Sequence, residues 1–154
     1  MPDDLYERDI LAWSQKQADL LRRLADGERV NALLDWPNLI DEVETVGRSE
    51  LHACESLLEQ ALLHRLKAAM WPDHVAARHW RQEAQAILHS ARRRFAPSMR
   101  QLLDVSNIYA RSVPRAASLA YELGVARSVP EHCPFGLDEF LDADISTFVS
   151  RLSG

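Results

Sequence analysis

Residues Asn38 to Trp71, NLIDEVETVGRSELHACESLLEQALLHRLKAAMW, run without a proline between Pro37 and Pro72. Within them Leu39, Ile40, Val43, Val46, Cys54, Leu57, Leu58, Ala61, Leu62, Leu66, Ala69 and Met70 recur at the three- and four-residue spacings of one helical face. Gly47 is the one break candidate. Acids (Asp41, Glu42, Glu44) open the stretch and bases (His64, Arg65, Lys67) close it, which suits the helix dipole at both ends. The pattern predicts a single helix over about residues 37–71. At a rise of about 1.5 Å per residue it would be about 50 Å long. A rod of that length needs antiparallel neighbours, because intrinsic propensity does little to stabilise a helix.

Working outward, Asp35 can cap this helix and Pro37 can sit in its first turn. Upstream, Tyr6, Ile10, Trp13, Gln17, Leu20, Leu21 and Leu24 fall on one helical face, with Asp3 or Asp4 as N-cap and Gly27 as stop. Downstream, Val75 to Phe95 predicts a helix with Ala76, Ala77, Trp80, Ala84, Ile87, Leu88, Ala91 and Phe95 inward, ended by Pro97. Ser98 can cap a short segment through Val105, and Ser106 or Asn107 a longer one to Leu123. In that longer segment Pro114 implies a kink or a new start, and Gly124 a stop. Pro130 and Pro134 frame a loop around His132 and Cys133. Short helices are expected at Leu137 to Leu141 and near Ile145 to Leu152. No alternating strand pattern or repeat stands out. The fold class is therefore all-α, an antiparallel helical bundle on one long central helix, with short C-terminal helices. The 154 residues, 47% of them hydrophobic, suit one domain spanning 1–154.

The net charge of -5 conceals an asymmetry: residues 1–60 sum to -8, residues 61–127 to +7 and residues 128–154 to -4. Acidic and basic helices lying side by side would offset one another. The run Arg92, Arg93, Arg94 with Arg100 is the best case for an exposed basic face. It lacks interleaved aromatics beyond Phe95 and belongs to an acidic chain, so nucleic acid is not the expected partner. No apolar run approaches the roughly 20 residues that span a bilayer. The acidic N-terminus is unlike a secretory signal. A soluble, cytoplasmic protein with reduced thiols at Cys54 and Cys133 is expected, since the two cysteines form no ligand pattern.

The order and spacing of several pieces resemble a bacterial family, the domain of unknown function 29. They are Tyr6, Asp9, Trp13, Gln17, Leu21 and Arg22 in YERDILAWSQKQADLLR, then NLIDEVETVGRSE, LLHRLK, the Arg78 and Trp80 of RHW, Pro97 with Ser98, YAR at Tyr109 to Arg111, and Cys133 with Pro134. The resemblance covers nearly the whole chain and implies a small all-helical bacterial domain; it implies no activity. This chain departs from the family pattern at Asp41, where glutamate is commoner, and at the arginine of LLHRLK, where leucine is commoner. It also has no aromatic directly after Lys67.

The candidate polar cluster is Asp9, Gln17, Asp41, Glu42, Glu44, His64, Arg78 and Glu83. Asp41, Glu42 and Glu44 supply carboxylates within one turn, as a magnesium or manganese site would. Residues one and two apart do not face each other on a helix, however, and Asp41 can pair with Arg48. Glu44 and His64 lie twenty residues apart, about 30 Å along a straight helix, so neither can assist the other on one rod. Arg78 and Glu83, or Asp9 and Gln17 beside Trp13, are the groups other helices could bring to either end; the simpler role is a polar network that fixes helix register. No HExxH, phosphate loop or GxSxG is present, and His74 and His79 are five apart, one off the spacing for a shared face. His52 with Glu55 or Glu59 reads as a solvated face. Cys133 beside His132 reads as a loop closure rather than a nucleophile. No cofactor is implied. The sequence favours a protein-interaction or regulatory module, with a homodimer through the long helix as one form. A metal-dependent enzyme or metal-binding module built on Glu42 and Glu44 is the alternative.

Overall fold

In a computed structural model, which describes residues 4–142 and 150–152, the chain is helical and no strand occurs among the described residues. The long helix, α3, runs Trp36–Met70 without interruption. Gly47 does not break it. Before it stand α1 (Leu5–Arg8) and α2 (Ile10–Ala25); after it come α4 (Ala77–Arg94), α5 (Val105–Ala117), α6 (Ala120–Leu123) and α7 (Leu137–Asp142). Two compact units result, residues 1–48 and 49–154, and α3 passes through both.

In the first unit the expected single N-terminal helix is two. Asp9 leaves helical geometry at φ -153° and ψ 83°, and its carboxylate accepts from the Ala12 N–H. Asp9, rather than Asp3 or Asp4, thus caps the main helix; Asp3 lies outside the described residues. Trp13, Gln17 and Leu20 form the buried stripe of α2. The helix ends at Gly27, whose φ of +92° is the left-handed conformation that glycine adopts at little cost. Leu20, Val30 and Leu34 make a small core, with Leu24 and Leu39 against it.

The second unit holds the larger core. Cys54, Leu58, Ala61, Leu62 and Leu66 of α3 meet Ala77, Trp80, Leu88 and Ala91 of α4, Ile108, Tyr109 and Ala116 of α5, and Phe140 of α7. Helix direction follows from the pairs that touch. Glu50 meets Arg94 at 3.1 Å and the Cys54 Sγ faces the Ala91 carbonyl at 3.7 Å, so α4 runs antiparallel to α3. Glu55 meets Arg111 at 2.6 Å and Glu59 meets Arg115 at 2.7 Å, so α5 runs parallel to α3. Acidic positions of α3 are thus set against arginines of its neighbours, as the charge layout suggested.

Several boundaries differ from expectation. Asp104 caps α5, accepting from the Asn107 N–H at 3.0 Å, and so stands ahead of Ser106 and Asn107, the caps that sequence alone suggested. The segment at Ser98 is only a 3-10 turn, Pro97–Met99. Helix α5 continues past Pro114 to Ala117, and the chain restarts as α6 before Gly124, at φ +87°. After Gly124 the chain returns to the end of α3: the Arg127 N–H donates to the Met70 carbonyl at 2.8 Å, satisfying an acceptor the helix terminus would otherwise leave open. The Trp71 indole N–H donates to the Gly124 carbonyl at 3.0 Å. Of the final predicted helix, residues 145–149 lie outside the described residues, while Ser150 to Leu152 are helical and Leu152 is buried.

Candidate functional site

Two polar clusters and one apolar face emerge. In the first unit, Asp35 precedes α3 and gathers donors. Its carboxylate accepts from the Trp13 indole N–H at 2.9 Å and the Asn38 side-chain amide at 2.8 Å. Its own N–H donates to Oε1 of buried Gln17 at 2.9 Å. The Asn38 side chain first, then the Trp13 indole and the Asn38 backbone N–H, hold the Asp35 carboxyl below its usual range; burial works the other way. This links α2 to the start of α3 through groups whose partners are fully specified. Gln17 thus spends its side-chain oxygen on the backbone just ahead of α3. Asp35 is the hub of these contacts, and cap chemistry alone signalled it.

The acidic turn is engaged as well. The Tyr6 hydroxyl donates to Glu42 at 2.6 Å, and that bond pushes the phenol up to about 12. Arg48 lies 3.4 Å from Asp41 and 3.3 Å from Glu44. Glu42 thus faces Tyr6, while Asp41 and Glu44 share the Arg48 guanidinium. No group of three His, Cys, Asp or Glu side chains is placed to hold a metal ion among the described residues. The oxygen cage that a magnesium or manganese ion requires is not assembled by these residues.

In the second unit His64 is half-buried, and its buried Nδ1 has no hydrogen-bond partner among the described residues. Burial, and then the Lys67 ammonium, hold the imidazole below its ordinary value; Glu83 opposes this and His79 adds to it. Glu83 lies 3.9 Å from His79 on α4. His64 and Glu83 are thereby within electrostatic reach, whereas Arg78 is exposed. The Lys67 ammonium sits 5.1 Å from the Trp80 ring centre, and His74 stacks on the same indole at 5.0 Å. Arg65, the arginine of LLHRLK, is buried with its guanidinium 6.0 Å from the Phe140 ring centre. Sequence reasoning named it only as one of the bases closing the helix and left it out of the apolar stripe.

The basic run is partly structural. Arg92 donates to the Leu141 carbonyl, Arg94 pairs with Glu50, and Arg100 pairs with Asp138. Arg93 is exposed and, with Leu57, Ser90 and Arg94, lines an open cleft of about 550 Å³. Cys133 is no activated thiol: burial pushes it up, and it donates to the Phe135 carbonyl at 3.3 Å. Glu55 and Glu59 are taken by Arg111, which leaves His52 on a solvated face.

The apolar face lies on the first half of α3. Ile40 is 56% exposed, Val43 73% and Val46 67%, although all three belong to the stripe expected to face inward. Leu21, Trp36, Leu39, Ile40, Val43 and Glu44 line a shallow groove of about 260 Å³ there.

The pattern of elements and side chains has a counterpart in known proteins. The model of the family described as "Domain of unknown function DUF29" matches residues 5–146. The chain belongs to this family. A solved relative, the crystal structure of an alpha-helical protein of unknown function from Rhodospirillum rubrum, is 31% identical with a TM-score of 0.74; the match covers 97% of this chain and 98% of that one. No curated protein matches. The alpha-helical description of the solved relative agrees with the all-α architecture. No described helix is long and apolar enough to cross a membrane.

Proposed function

We propose that this DUF29 protein is a protein-docking module whose contact surface is the apolar face on the first half of α3. The observation that carries this reading is the exposure of Ile40, Val43 and Val46, contiguous with the groove at Leu21, Trp36 and Leu39. Large apolar side chains left bare in one patch, with polar residues around them, mark interaction sites more often than scattered surface. The groove is shallow and lined almost wholly by carbon, so it suits a helix face rather than a small polar substrate. Its lining includes Glu44, which pairs with Arg48. Such a charged group favours orientation of a partner more than raw affinity.

A photo-crosslinking residue at position 43, compared in living cells with one at exposed Asp41 off the stripe, tests the reading. Discrete adducts at 43 and none at 41 are expected. Equal labelling at both positions, or at neither, would remove the support. We further infer that residues 1–154 unfold as one domain, because α3 is continuous between the two units. Coincident urea transitions of Trp fluorescence and far-UV circular dichroism are the expected result. The cysteines, both free, suit a reducing compartment such as the cytoplasm.

A further inference from the structure

We propose that the occupant of this face is a second copy of the chain, seated antiparallel on the first half of α3; the inference rests on the docking reading above. Trp36, Ile40, Val43 and Gly47 are spaced four, three and four residues apart, the seam of two packed helices. That spacing reads the same in both directions. A copy running antiparallel about a two-fold axis therefore opposes Ile40 to Val43 and Trp36 to Gly47, each pair occurring twice, as an isologous interface demands.

The steric match is specific. A Cβ at Gly47 would meet no heavy atom within 4 Å, so the seam is open there. The opposing Trp36 is 43% exposed, and its indole N–H is tied to the Asn31 carbonyl at 2.9 Å. A held indole facing a side-chain gap is a knob and a hole, with little conformational freedom lost on pairing. Arg48 offsets one of the two carboxylates it pairs with, Asp41 and Glu44, and the charge left over sits on side chains more than half exposed, where solvent and salt screen it. The area is sufficient. Leu21, Trp36, Ile40, Val43 and Val46 are 39 to 73% exposed and form an apolar patch on the order of 500 Å², near the upper end of what monomers leave bare. Two such patches bury about 1,000 Å², the least a specific interface needs.

Sedimentation equilibrium of the full chain should show a reversible monomer–dimer equilibrium in the micromolar range. Gly47→Leu fills the hole without a clash in a single chain, so it should weaken dimerisation at least tenfold while the circular dichroism spectrum stays native and the monomer melts no lower than wild type. Chains carrying Ile40→Cys mixed with chains carrying Val43→Cys should form a cross-chain disulfide faster than either variant alone. A strict monomer at all concentrations overturns the proposal, and so does a Gly47→Leu dimer as tight as wild type. If the chain is monomeric, titration with a designed amphipathic helical peptide separates the two readings. Binding that Val43→Asp abolishes would keep the docking surface and discard the self-pairing; no binding would discard both.

Discussion

From Trp36 to Ala53 α3 contains no buried residue, whereas from Cys54 to Met70 it contains nine. The period of apolar residues is the same in both halves. What differs is the covering: α4, α5 and α7 contribute core residues around the second half, while in the first half Leu39 packs against a small cluster of Leu20, Val30 and Leu34 and Leu51 reaches the edge of the larger core. Helical periodicity thus tells which side of a helix is apolar, and a neighbour decides whether that side is core or surface. Where the described residues leave it uncovered, the stripe is open to a further contact.

The largest effect separates the halves by truncation. Leu62→Ala, at a position with no exposure, should cost about 2 to 5 kcal/mol, because it loses transfer free energy and leaves a cavity. Val43→Ala, at 73% exposure, should stay within about 0.5 kcal/mol of wild type. Urea unfolding of both variants measures the contrast, and equal losses would mean that the two halves are equally buried in solution.

Asp35→Ala attacks the first half alone. It removes the cap of α3 and the acceptor of the Trp13 and Asn38 side chains, and should cost about 1 to 2 kcal/mol. Asp35→Asn should retain part of this, since an amide oxygen still accepts. A loss below about 0.3 kcal/mol for Asp35→Ala would deny the cap its role. Gly47→Ala should move the other way. The position is helical, its Cβ meets nothing within 4 Å, and alanine lowers the entropy lost on folding, so a gain of about 0.5 to 1 kcal/mol is expected in thermal melts.

How much of this was legible in the residues follows from the same contrast. The long helix was readable because periodicity, an N-terminal cap and flanking prolines agree over residues 37–71, and Gly47 alone could not outweigh them. The split at Asp9 was not. The apolar period continues through it, and only the competition of its carboxylate for the Ala12 N–H breaks the helix. Gln17 and Glu42 were legible as polar residues near a stripe, but their partners Asp35 and Tyr6 depend on the packing of elements distant in sequence. Arg65 was hidden because burial of an arginine requires Phe140, 75 residues on, to supply a ring for it. Val43 and Val46 were misplaced inward because period carries no information about cover.

The smallest expected effect is a pH dependence that again divides the halves. His64, on the second half, is held below its ordinary value of 6.5 by burial first and by Lys67 next, with Glu83 opposing and His79 contributing. The unfolded chain then binds more protons than the folded chain between the folded value and 6.5, so stability rises with pH across that window. Acidification from neutrality should begin to remove stability near pH 6.5, and the His64 contribution should level off once the pH is below the folded value. Asp35, on the first half, is held below its ordinary 3.8, so its contribution persists until lower pH and is lost as the pH falls through its folded value. The two windows do not overlap at their upper ends. Urea midpoints measured from pH 7.5 downward should therefore fall in two stages. His64→Gln should flatten the upper stage and leave the lower one, whereas Asp35→Asn should do the reverse. An upper stage that survives His64→Gln unchanged would assign it to the remaining histidines. The half-buried imidazole on the covered half of α3 would then carry no share of the acid sensitivity.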